Sequence, residues 1–429
     1  MARFVIRGGR QLAGEITVGG NKNAALPMIA AALLTDEEVV LENVPRIQDV
    51  TGMLEILEHL GCDVAREGSE VRIRAANLRH DEVPRALCGR IRTSFLVVGP
   101  LMARGRPVRV YPPGGDVIGR RRLDAHFYGL RLLGVDVDAD DFSFRPPPRL
   151  SGKVMFFDES SVTATEHILM AAVCAEGTSE IRNAASEPHV QDLARMLVSM
   201  GAKIEGIGTN TLVVQGVERL GGTRHRVISD HIEAGSYLAL AAATGGEVTV
   251  HDTVRRDYWM IRRVFERFGL ELELALHHIR LPGGQVPQVQ RDLGGAIPRV
   301  DDGPWPQFPS DLMSPTLVLA TQSEGTVLFF EKMFESRMYF VDPLIQMGAN
   351  IIVCDPHRVV VSGKTKLRGG TVRSPDIRAG MALIVAALCA DGEPSIVHNA
   401  HIVDRGYEAV ETKLQALGAD IVREAYPER

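Results

Sequence analysis

The sequence lacks the features that mark secreted, membrane-spanning and nucleic-acid-binding proteins. Its five cysteines, at positions 62, 88, 174, 354 and 389, include no pair at the spacing of a metal or redox site. The net charge is -6 and both signs are mixed along the chain, so no basic stripe is available for a phosphate backbone. No run of about 18 apolar residues occurs, and the N-terminus has no apolar segment of signal-peptide length. We therefore expect a soluble cytoplasmic protein that binds no nucleic acid and no membrane.

An internal repeat organises the chain, which at 429 residues with 45% hydrophobic residues can fill more than one core. Six short phrases recur about 70 residues apart, each with an apolar residue, a glycine and the start of a β-rich run. This spacing predicts one α/β unit per repeat, with the glycine ending a helix. The six phrases are residues 60–64, 133–137, 200–204, 268–272, 347–351 and 417–421.

Each unit also contains a short β-rich segment that follows an apolar helix. The β-rich segments are residues 38–43, 107–111, 178–183, 247–252, 326–331 and 394–399. The predicted apolar helices are residues 24–34, 95–103, 164–175, 234–243, 312–320 and 379–390. They have no polar face, so each must be buried. An amphipathic helix follows each β-rich segment, most clearly at residues 50–60 and 403–417.

Three units that turn their apolar helices inward would form one domain, so six units predict two. We expect residues 21–230 to form an N-terminal-side domain and residues 1–20 with 231–429 to form a C-terminal-side domain. The first strands, residues 4–7 and 15–18, are assigned to the last unit, which needs them. The chain should therefore cross between the domains twice.

Polar residues stand at the starts of all six apolar helices. Helix N-termini bind anions, and added lysine and arginine favour a small, multiply charged anion over a polymer. The repeated arrangement predicts a cleft between the two domains as the site. The residues are Lys22, Asn23, Arg92, Thr93, Thr163, Thr165, Glu166, Glu233, Ser310, Asp311, Asp376 and Arg378.

Seven segments together resemble the signature segments of the UDP-N-acetylglucosamine enolpyruvyl transferases. They are residues 21–27, 113–119, 164–166, 308–311, 334–337, 376–379 and 404–408, and the resemblance runs essentially from end to end. It implies a two-domain inside-out α/β barrel with three units per domain, shared with enolpyruvylshikimate phosphate synthase. It also implies transfer of enolpyruvyl from phosphoenolpyruvate to the 3-hydroxyl of UDP-N-acetylglucosamine with loss of phosphate, the first committed step of peptidoglycan precursor synthesis.

The resemblance also assigns roles to individual residues. Lys22, Arg121 and Arg405 match residues on the phosphate side of phosphoenolpyruvate, with Asn23 beside them, and Lys22 and Arg405 count as catalytic. Arginines 337 and 378 match the carboxylate side, and Asp311 matches the general base. The implied contacts to the nucleotide sugar are Asn23, Arg92, Arg121, Arg122, Leu123, Asp124, Ala125, Ser161, Val162, Thr163, Asp311 and Met333.

We expect no metal and no cofactor, because lysine and arginine supply the positive charge. The glycines at 114, 115 and 119 lack the Lys-Ser/Thr pair that follows a nucleotide-hydrolysing phosphate loop. His277 and His278 are adjacent and cannot share one face of a strand. The pair Asp301 and Asp302 precedes Gly303 and Pro304, as in an ordinary turn.

The loop around residue 116 departs from the family pattern. The family commonly has cysteine where this chain has Asp116, and the proline and glycine content of residues 111–119 predicts a mobile loop. A carboxyl group can replace a thiol as the general acid if its surroundings keep it protonated. The alternative is that Asp116 is a turn residue in a loop that has lost its chemistry. Fosfomycin alkylates the family's cysteine, so we expect this chain to resist it.

Four positions on the nucleotide side also depart from the family pattern. Glu159 stands where the family tends to have lysine, Thr163 where it has glycine, His231 where it has arginine, and Arg122 where it has proline. A carboxylate near a diphosphate is unfavourable by about 1 kcal/mol at surface dielectric. Two alternatives follow. The chain is a related enolpyruvyl transferase with another acceptor, such as a different nucleotide sugar or shikimate 3-phosphate, or it is a non-catalytic protein that binds sugar nucleotides.

Overall fold

A computed structural model describes residues 2–425 of the chain. The chain forms two compact units, each with its own hydrophobic core. The N-terminal unit comprises Gly20–Asp116 and Arg121–Ile228. The C-terminal unit comprises the residues up to Gly19, the short segment Val117–Arg120 and the residues from Ser229 onward. No described helix combines the length and the hydrophobicity needed to cross a membrane.

The strands are short, and most have two to six residues. They are β1 (Ala2–Arg7), β2 (Ala13–Thr17), β3 (Glu38–Glu42), β4 (Asp63–Glu67), β5 (Glu70–Arg74), β6 (Val108–Arg109), β7 (Asp136–Asp138), β8 (Ser143–Arg145), β9 (Val154–Phe156), β10 (Thr178–Arg182), β11 (Lys203–Glu205), β12 (Thr211–Gln215), β13 (Thr223–Arg226), β14 (Glu247–His251), β15 (Glu273–Leu274), β16 (His278–Leu281), β17 (Arg299–Asp301), β18 (Gly325–Phe330), β19 (Ile351–Asp355), β20 (Arg358–Gly363), β21 (Thr371–Arg373), β22 (Ser395–His398) and β23 (Asp420–Ala425).

The helices alternate with these strands. The α-helices are α1 (Lys22–Ala31), α2 (Gln48–Leu60), α3 (Arg85–Cys88), α4 (Val98–Ala103), α5 (Asp124–Leu132), α6 (Val162–Ala172), α7 (Pro188–Ser199), α8 (His231–Thr244), α9 (Trp259–Glu266), α10 (Met313–Thr321), α11 (Val341–Gln346), α12 (Ile377–Cys389), α13 (Ala400–Val403) and α14 (Val410–Ala416). Short 3-10 helices span Ala32–Leu34, Arg92–Val97, Arg255–Tyr258, Leu293–Gly295, Ser310–Leu312 and Arg337–Phe340.

Each unit contains three small sheets built on one plan. In the N-terminal unit their strand orders are β13-β3-β5-β4, β6-β8-β7 and β11-β12-β10-β9. In the C-terminal unit they are β15-β16-β14-β2, β17-β18-β20-β19 and β21-β22-β1-β23. Apart from the three-stranded sheet, each has one parallel pair, such as β13 with β3, next to two antiparallel pairs. Three repeats per unit follow from this pattern.

The two N-terminal strands join different sheets. β1 pairs antiparallel with β22 and β23, as predicted for the last unit. β2 instead pairs in parallel with β14, from Ala13 opposite Glu247 to Thr17 opposite His251. The prediction that residues 15–18 belong to the last unit is therefore wrong. β2 takes the parallel edge position beside β14, and β13, which directly precedes that unit in the chain, takes the same position beside β3 in the first sheet.

The helices without a polar face form the centre of each unit. In the C-terminal unit α8, α10 and α12 pack against one another, and every residue from Ile377 to Leu388 is buried. In the N-terminal unit α1, α4 and α6 and the 3-10 helix Arg92–Val97 contact one another in the same way. Replacing one buried leucine there by alanine costs about 2–5 kcal/mol. Helices inside and sheets outside give the inside-out α/β arrangement that was predicted.

The six repeated glycines end helices, as predicted. All have positive φ: 103° at Gly61, 97° at Gly134, 108° at Gly201, 66° at Gly269, 104° at Gly348 and 91° at Gly418. The next N–H reaches back to the helix, as from Cys62 to the carbonyl of Leu57 at 3.0 Å. This is the hydrogen-bonding pattern of the Schellman motif, in which glycine is favoured.

Two predicted helices are interrupted. Residues 403–417 contain only the last residue of α13, followed by a turn and then α14, because Ala409 has φ 47° and Gly406 packs against Ile377. A Cβ at Gly406 would lie 2.5 Å from the side chain of Ile377. The helix at residues 95–103 begins earlier, as a 3-10 helix from Arg92, and becomes α4 at Val98.

Candidate active site

In the N-terminal unit, α1 presents Lys22 from its first turn. Asn21 caps this helix, because its side-chain oxygen accepts the N–H of Ala24 at 3.0 Å. The Lys22 ammonium lies 2.8 Å from the carboxylate of Asp49, and the two side chains are 12% and 6% exposed. A cation is unfavourable at a helix start, so the ion pair stabilises Lys22 there. Asn23, in the same turn, is half-buried.

Arg92 binds the backbone of the segment that carries the next predicted site residues. Its guanidinium donates to the carbonyl of Arg121 and, at 3.1 Å, to that of Arg122. Burial, and secondarily the charge of Arg121, lower the pKa of Arg92 to about 10, so it stays cationic at neutral pH. Arg122 forms an exposed bidentate ion pair with Asp124, and both of its hydrogen bonds are 2.7 Å long.

The start of α6 carries three of the residues predicted to contact the nucleotide sugar. Ser161 is the cap, and its hydroxyl accepts the N–H of Ala164 at 3.3 Å. Val162 and Thr163 follow in the first turn, and the Thr163 hydroxyl lies 3.2 Å from Nε2 of His126. First-turn N–H groups point out of a helix and attract anions. This turn can therefore hold phosphate oxygens.

The chain is fixed on both sides of Asp116, which is half-buried. Before it, the N–H of Gly114 donates to the carbonyl of Cys88 at 3.1 Å. A Cβ at Gly114 would lie 1.8 Å from the carbonyl oxygen of Gly89, so only glycine fits at position 114. After it, the chain enters the C-terminal unit, where the N–H of Arg120 donates to the Glu335 carboxylate at 3.0 Å.

In the C-terminal unit, Asp311 lies between two buried arginines. It accepts Nη2 of Arg337 at 3.0 Å on one oxygen, and Nε and Nη2 of Arg378 at 3.0 and 2.9 Å on the other. Each arginine side chain is only 5% exposed. The Nη1 atom of each is buried without a hydrogen-bond acceptor among residues 2–425. Because unpaired buried donors are costly, both atoms are suited to bind an anion.

Glu331, which the sequence analysis missed, is a fully buried part of this cluster. The Ser310 hydroxyl donates to its carboxylate at 2.9 Å, and the Phe334 N–H donates at 3.1 Å. The Nε atom of Arg337 lies 3.9 Å from the same carboxylate. Burial, and secondarily the hydrogen-bonded carboxyl of Asp302, raise the pKa of Glu331 to about 9. The available sequence signal was an acidic residue directly after the apolar strand β18.

Arg405 lies half-buried in the turn between α13 and α14. Two residues later, Tyr407 is buried, with its hydroxyl 2.9 Å from that of Ser236. The guanidinium of Arg378 lies 5.3 Å from the centre of the Tyr407 ring. These contacts attach the turn that carries Arg405 to the Arg378 side of the Asp311 cluster.

His231 adds no positive charge where the family pattern has arginine. It begins α8, is buried, and its ring meets that of Trp305 edge to face at 6.0 Å. Burial lowers the pKa of His231, so the neutral imidazole is favoured. The position therefore supplies a polar neutral ring.

The predicted site residues fall into two groups, one in each unit. The N-terminal unit contains Lys22, Asn23, Arg92, Asp116, Arg121, Arg122, Leu123, Asp124, Ala125, Ser161, Val162 and Thr163. The C-terminal unit contains Asp311, Met333, Arg337, Arg378 and Arg405. Within the second group, Arg337 and Arg378 meet at Asp311. Between residues 2 and 425, no cluster of three histidine, cysteine or acidic side chains could hold a metal ion.

Comparison with known proteins identifies the family. The family model of EPSP synthase (3-phosphoshikimate 1-carboxyvinyltransferase) matches residues 6–414. Two curated relatives are both named UDP-N-acetylglucosamine 1-carboxyvinyltransferase. That of Borreliella burgdorferi is 51% identical, over 98% of this chain and 99% of its own length. That of Bradyrhizobium diazoefficiens is 50% identical, over 100% of this chain and 99% of its own length. The chain belongs to the enolpyruvyl transferase family. The predicted enzyme class, a transferase, is confirmed.

Solved structures of enolpyruvyl transferases confirm the predicted fold. The enolpyruvyl transferase NikO from Streptomyces tendae matches with a TM-score of 0.87 and 22% identity over 99% of both chains. EPSP synthase from Acinetobacter baumannii matches with a TM-score of 0.76 and 18% identity, over 99% of this chain and 100% of that one. At these identities the likeness is one of fold, and it extends over the residues of both units.

Proposed function

We propose that this enolpyruvyl transferase moves the enolpyruvyl group of phosphoenolpyruvate to the 3-hydroxyl of UDP-N-acetylglucosamine and releases phosphate, the first committed step of peptidoglycan precursor synthesis. Full-length relatives named for this reaction, at about half identity, support the acceptor. The observation that carries the proposal is Asp311 between Arg337 and Arg378, whose Nη1 atoms are buried without acceptors in the described part of the chain. A base between two cations suits a reaction of a hydroxyl with a carboxylate-bearing substrate.

The cations divide the charge of phosphoenolpyruvate between them. We assign its carboxylate to Arg337 and Arg378, because their planar guanidinium groups match a carboxylate and retain Nη1 donors. We assign its phosphate to Lys22, Arg121 and Arg405, with Asn23 as a neutral partner. These groups would also stabilise the negative charge that gathers on phosphate as it leaves.

Two carboxyl groups would carry the protons. In the addition step, Asp311 accepts the proton of the sugar's 3-hydroxyl while the oxygen of that hydroxyl bonds to C2 of phosphoenolpyruvate. Asp116 donates a proton to C3, which becomes a methyl group. In the elimination step, the methyl group returns a proton to the Asp116 carboxylate, the C–O bond to phosphate breaks, and the leaving phosphate takes up the proton held by Asp311. The products are the enolpyruvyl ether and phosphate, so no oxidant, reductant or further reactant is required.

The acceptor contacts that we propose belong to the N-terminal unit, apart from Asp311 and Met333 in the C-terminal unit. The first turn of α6, at Ser161, Val162 and Thr163, offers N–H and hydroxyl groups to the diphosphate. The remaining contacts are Asn23, Arg92 and residues 121–125. Both substrates are metabolites of the cytoplasm, so we place the reaction there.

Phosphate release tests the proposal and its alternatives. The full chain is incubated with phosphoenolpyruvate and, in turn, UDP-N-acetylglucosamine, other UDP-sugars and shikimate 3-phosphate. We expect turnover with UDP-N-acetylglucosamine. Turnover with shikimate 3-phosphate or another UDP-sugar alone would replace the acceptor. Absence of turnover with every acceptor, together with binding of UDP-N-acetylglucosamine in a calorimetric titration, would favour a non-catalytic binding protein.

A further inference from the structure

Three polar side chains form a hydrogen-bonded row in the core of the N-terminal unit. Nδ1 of His126 lies 3.0 Å from Nδ1 of His167, and Nε2 of His126 lies 3.2 Å from the hydroxyl of Thr163. Both histidines are buried, while Thr163 is half-buried at the start of α6. The ring of Phe95 packs edge to face against both imidazoles, at 5.3 and 5.2 Å. The row therefore runs from an apolar interior to an accessible hydroxyl.

Both histidines of this row are neutral. Burial lowers the pKa of His126 well below its usual value, and the neighbouring His167 and Arg92 lower it further. Burial also lowers the pKa of His167 to about 3. Each imidazole therefore carries one proton, and of the two facing Nδ1 atoms one must donate and the other must accept.

The surroundings of His167 decide which Nδ1 atom donates. Its Nε2 is buried without a hydrogen-bond partner among the described residues. An unpaired buried N–H is rarer in proteins than an unpaired acceptor, so the proton of His167 belongs on Nδ1. His126 then accepts at Nδ1 and carries its own proton on Nε2. That proton is donated to the oxygen of Thr163, whose hydroxyl hydrogen is left to point away from His126.

We propose that Thr163 determines specificity by donating its hydroxyl hydrogen to a diphosphate oxygen of the nucleotide sugar, with His126 and His167 as positioning residues. This inference rests on the proposed function. The first turn of α6 directs its N–H groups toward the same anion. The hydroxyl adds a donor where the family pattern has glycine, beside a Glu159 that replaces a lysine. A neutral donor held by a neutral pair offsets part of the lost positive charge.

Variants at two positions test the row through the KM values of the two substrates. Thr163→Val keeps the branched shape and removes the hydroxyl. We expect it to raise the KM for UDP-N-acetylglucosamine about 5–10-fold, with kcat and the KM for phosphoenolpyruvate unchanged. Thr163→Ser, which keeps the hydroxyl, should have a KM for UDP-N-acetylglucosamine close to that of the wild type. An unchanged KM in Thr163→Val would overturn the proposal.

The role of His126 has its own comparison. His126→Gln places an amide N–H near the position of Nε2 and should keep the KM for the nucleotide sugar low, whereas His126→Leu should raise it. The double variant with Thr163→Val should be no worse than Thr163→Val alone, because both changes remove one interaction. Additive effects would contradict a shared row.

Nitrogen-15 NMR of the histidine rings in the wild-type chain tests the row without mutation. We expect His126 in the Nε2–H tautomer and His167 in the Nδ1–H tautomer, and the opposite pair would overturn the assignment. If the wild-type chain does not turn over UDP-N-acetylglucosamine, the proposed function fails separately. The inference is then judged by titrating UDP into wild type and Thr163→Val. Weaker binding by the variant supports it, and equal binding overturns it.

Discussion

Residue 116 is an aspartate in this chain, where the family pattern commonly has cysteine. A cysteine there offers a nucleophilic sulfur that reacts with epoxides, whereas a carboxyl group is a weaker nucleophile and can still exchange protons. Burial raises the pKa of Cys62 and Cys389 to about 12, that of Cys174 to about 11, and that of Cys88 above its usual value. The fifth thiol, Cys354, is exposed, but it lies on strand β19 and not in this loop. The chain thus has a carboxyl group and no thiol at position 116.

We predict that fosfomycin leaves the wild-type chain active and that Asp116→Cys makes it sensitive. The reason is that the epoxide needs a thiolate, and only the variant places one in the loop. Turnover is followed by phosphate release after preincubation, and adducts are located by mass spectrometry. Asp116→Asn, which cannot donate the proton, should lose turnover. Stoichiometric labelling of Asp116 in the wild type with loss of activity would refute the prediction.

Asp311→Asn should lower turnover by about 10²–10⁴-fold while phosphoenolpyruvate still binds. The amide keeps the shape of the side chain and cannot accept a proton. Its neutrality leaves Arg337 and Arg378 fully available to the substrate carboxylate, so affinity for phosphoenolpyruvate should be equal or higher. Steady-state rates measure turnover, and a calorimetric titration measures the affinity for phosphoenolpyruvate.

Asp355→Asn is the matched control for Asp311→Asn, because it removes a negative charge from the last residue of β19, where Asp355 pairs with Arg358. It should leave both rate and affinity unchanged. A near-normal rate in Asp311→Asn would show that another group is the base.

Sequence could predict these residues but not their partners. Lys22 stands out because a cation at the start of an apolar helix is unfavourable, whereas Asp311 stands out only because polar residues recur at six such starts. Asp49 and Glu331 belong to other elements, and their contacts depend on how those elements pack. The row of His126, His167 and Thr163 likewise joins α5 to α6 across about 40 residues of sequence. Such long-range pairs carry no local signal.

At the scale of the element, the repeat was predictable because each unit reuses the same local chemistry. The glycine of each phrase must adopt positive φ, and the apolar helix must be buried, so both leave a pattern in sequence. The break between α13 and α14 was missed because residues 403–417 keep a helical hydrophobic spacing. The close packing of Gly406 on Ile377, which requires the turn, is a tertiary contact.

Gly201 and Gly61 have nearly equal φ, but only Gly61 is crowded. Their alanine variants therefore distinguish the loss of unfolding free energy caused by backbone strain from the loss caused by steric crowding. Gly201 has φ 108° and open space where a Cβ would lie, so Gly201→Ala should cost about 1–2 kcal/mol from backbone strain alone. Gly61 has φ 103°, but its Cβ would lie 2.6 Å from the carbonyl oxygen of Asn77. We therefore predict that Gly61→Ala lowers the free energy of unfolding clearly more than Gly201→Ala does, as measured by thermal and urea unfolding.

Gly370→Ala is the control for these glycines, because Gly370 has open space and no positive φ. It should change the free energy of unfolding by less than about 0.5 kcal/mol. Equal losses in Gly61→Ala and Gly201→Ala would mean that crowding at Asn77 relaxes without cost. A loss in Gly370→Ala as large as that in Gly201→Ala would remove φ as the cause.

At the scale of the whole molecule, the first and the last described strands belong to the same repeat. β1 is the inner strand of the sixth sheet, between β22 and β23, where β5 lies in the first sheet. Phe4 and Ile6 on β1 are fully buried. Ala2 lies opposite Ala425 in the β1–β23 pair, so the first and last described residues are neighbours. The sixth sheet is thus completed by the pairing of β1, near the start of the described chain, with β23, near its end.

This topology predicts that the ends can be joined and the chain reopened elsewhere. In the permuted chain, a linker of about six residues connects residue 425 to residue 2, and new termini lie between Gly283 and Gly284. These are exposed residues after β16, and a Cβ at Gly284 would meet open space. We expect turnover within about threefold of wild type, because permutation at such loops keeps every strand pair.

Deleting residues 2–7 instead removes the inner strand with Phe4 and Ile6, and should abolish folding of the C-terminal unit. Rates and thermal unfolding compare the two chains with wild type. A folded deletion variant, or a permuted chain that cannot fold, would show that the sixth sheet does not depend on β1 as its pairing implies.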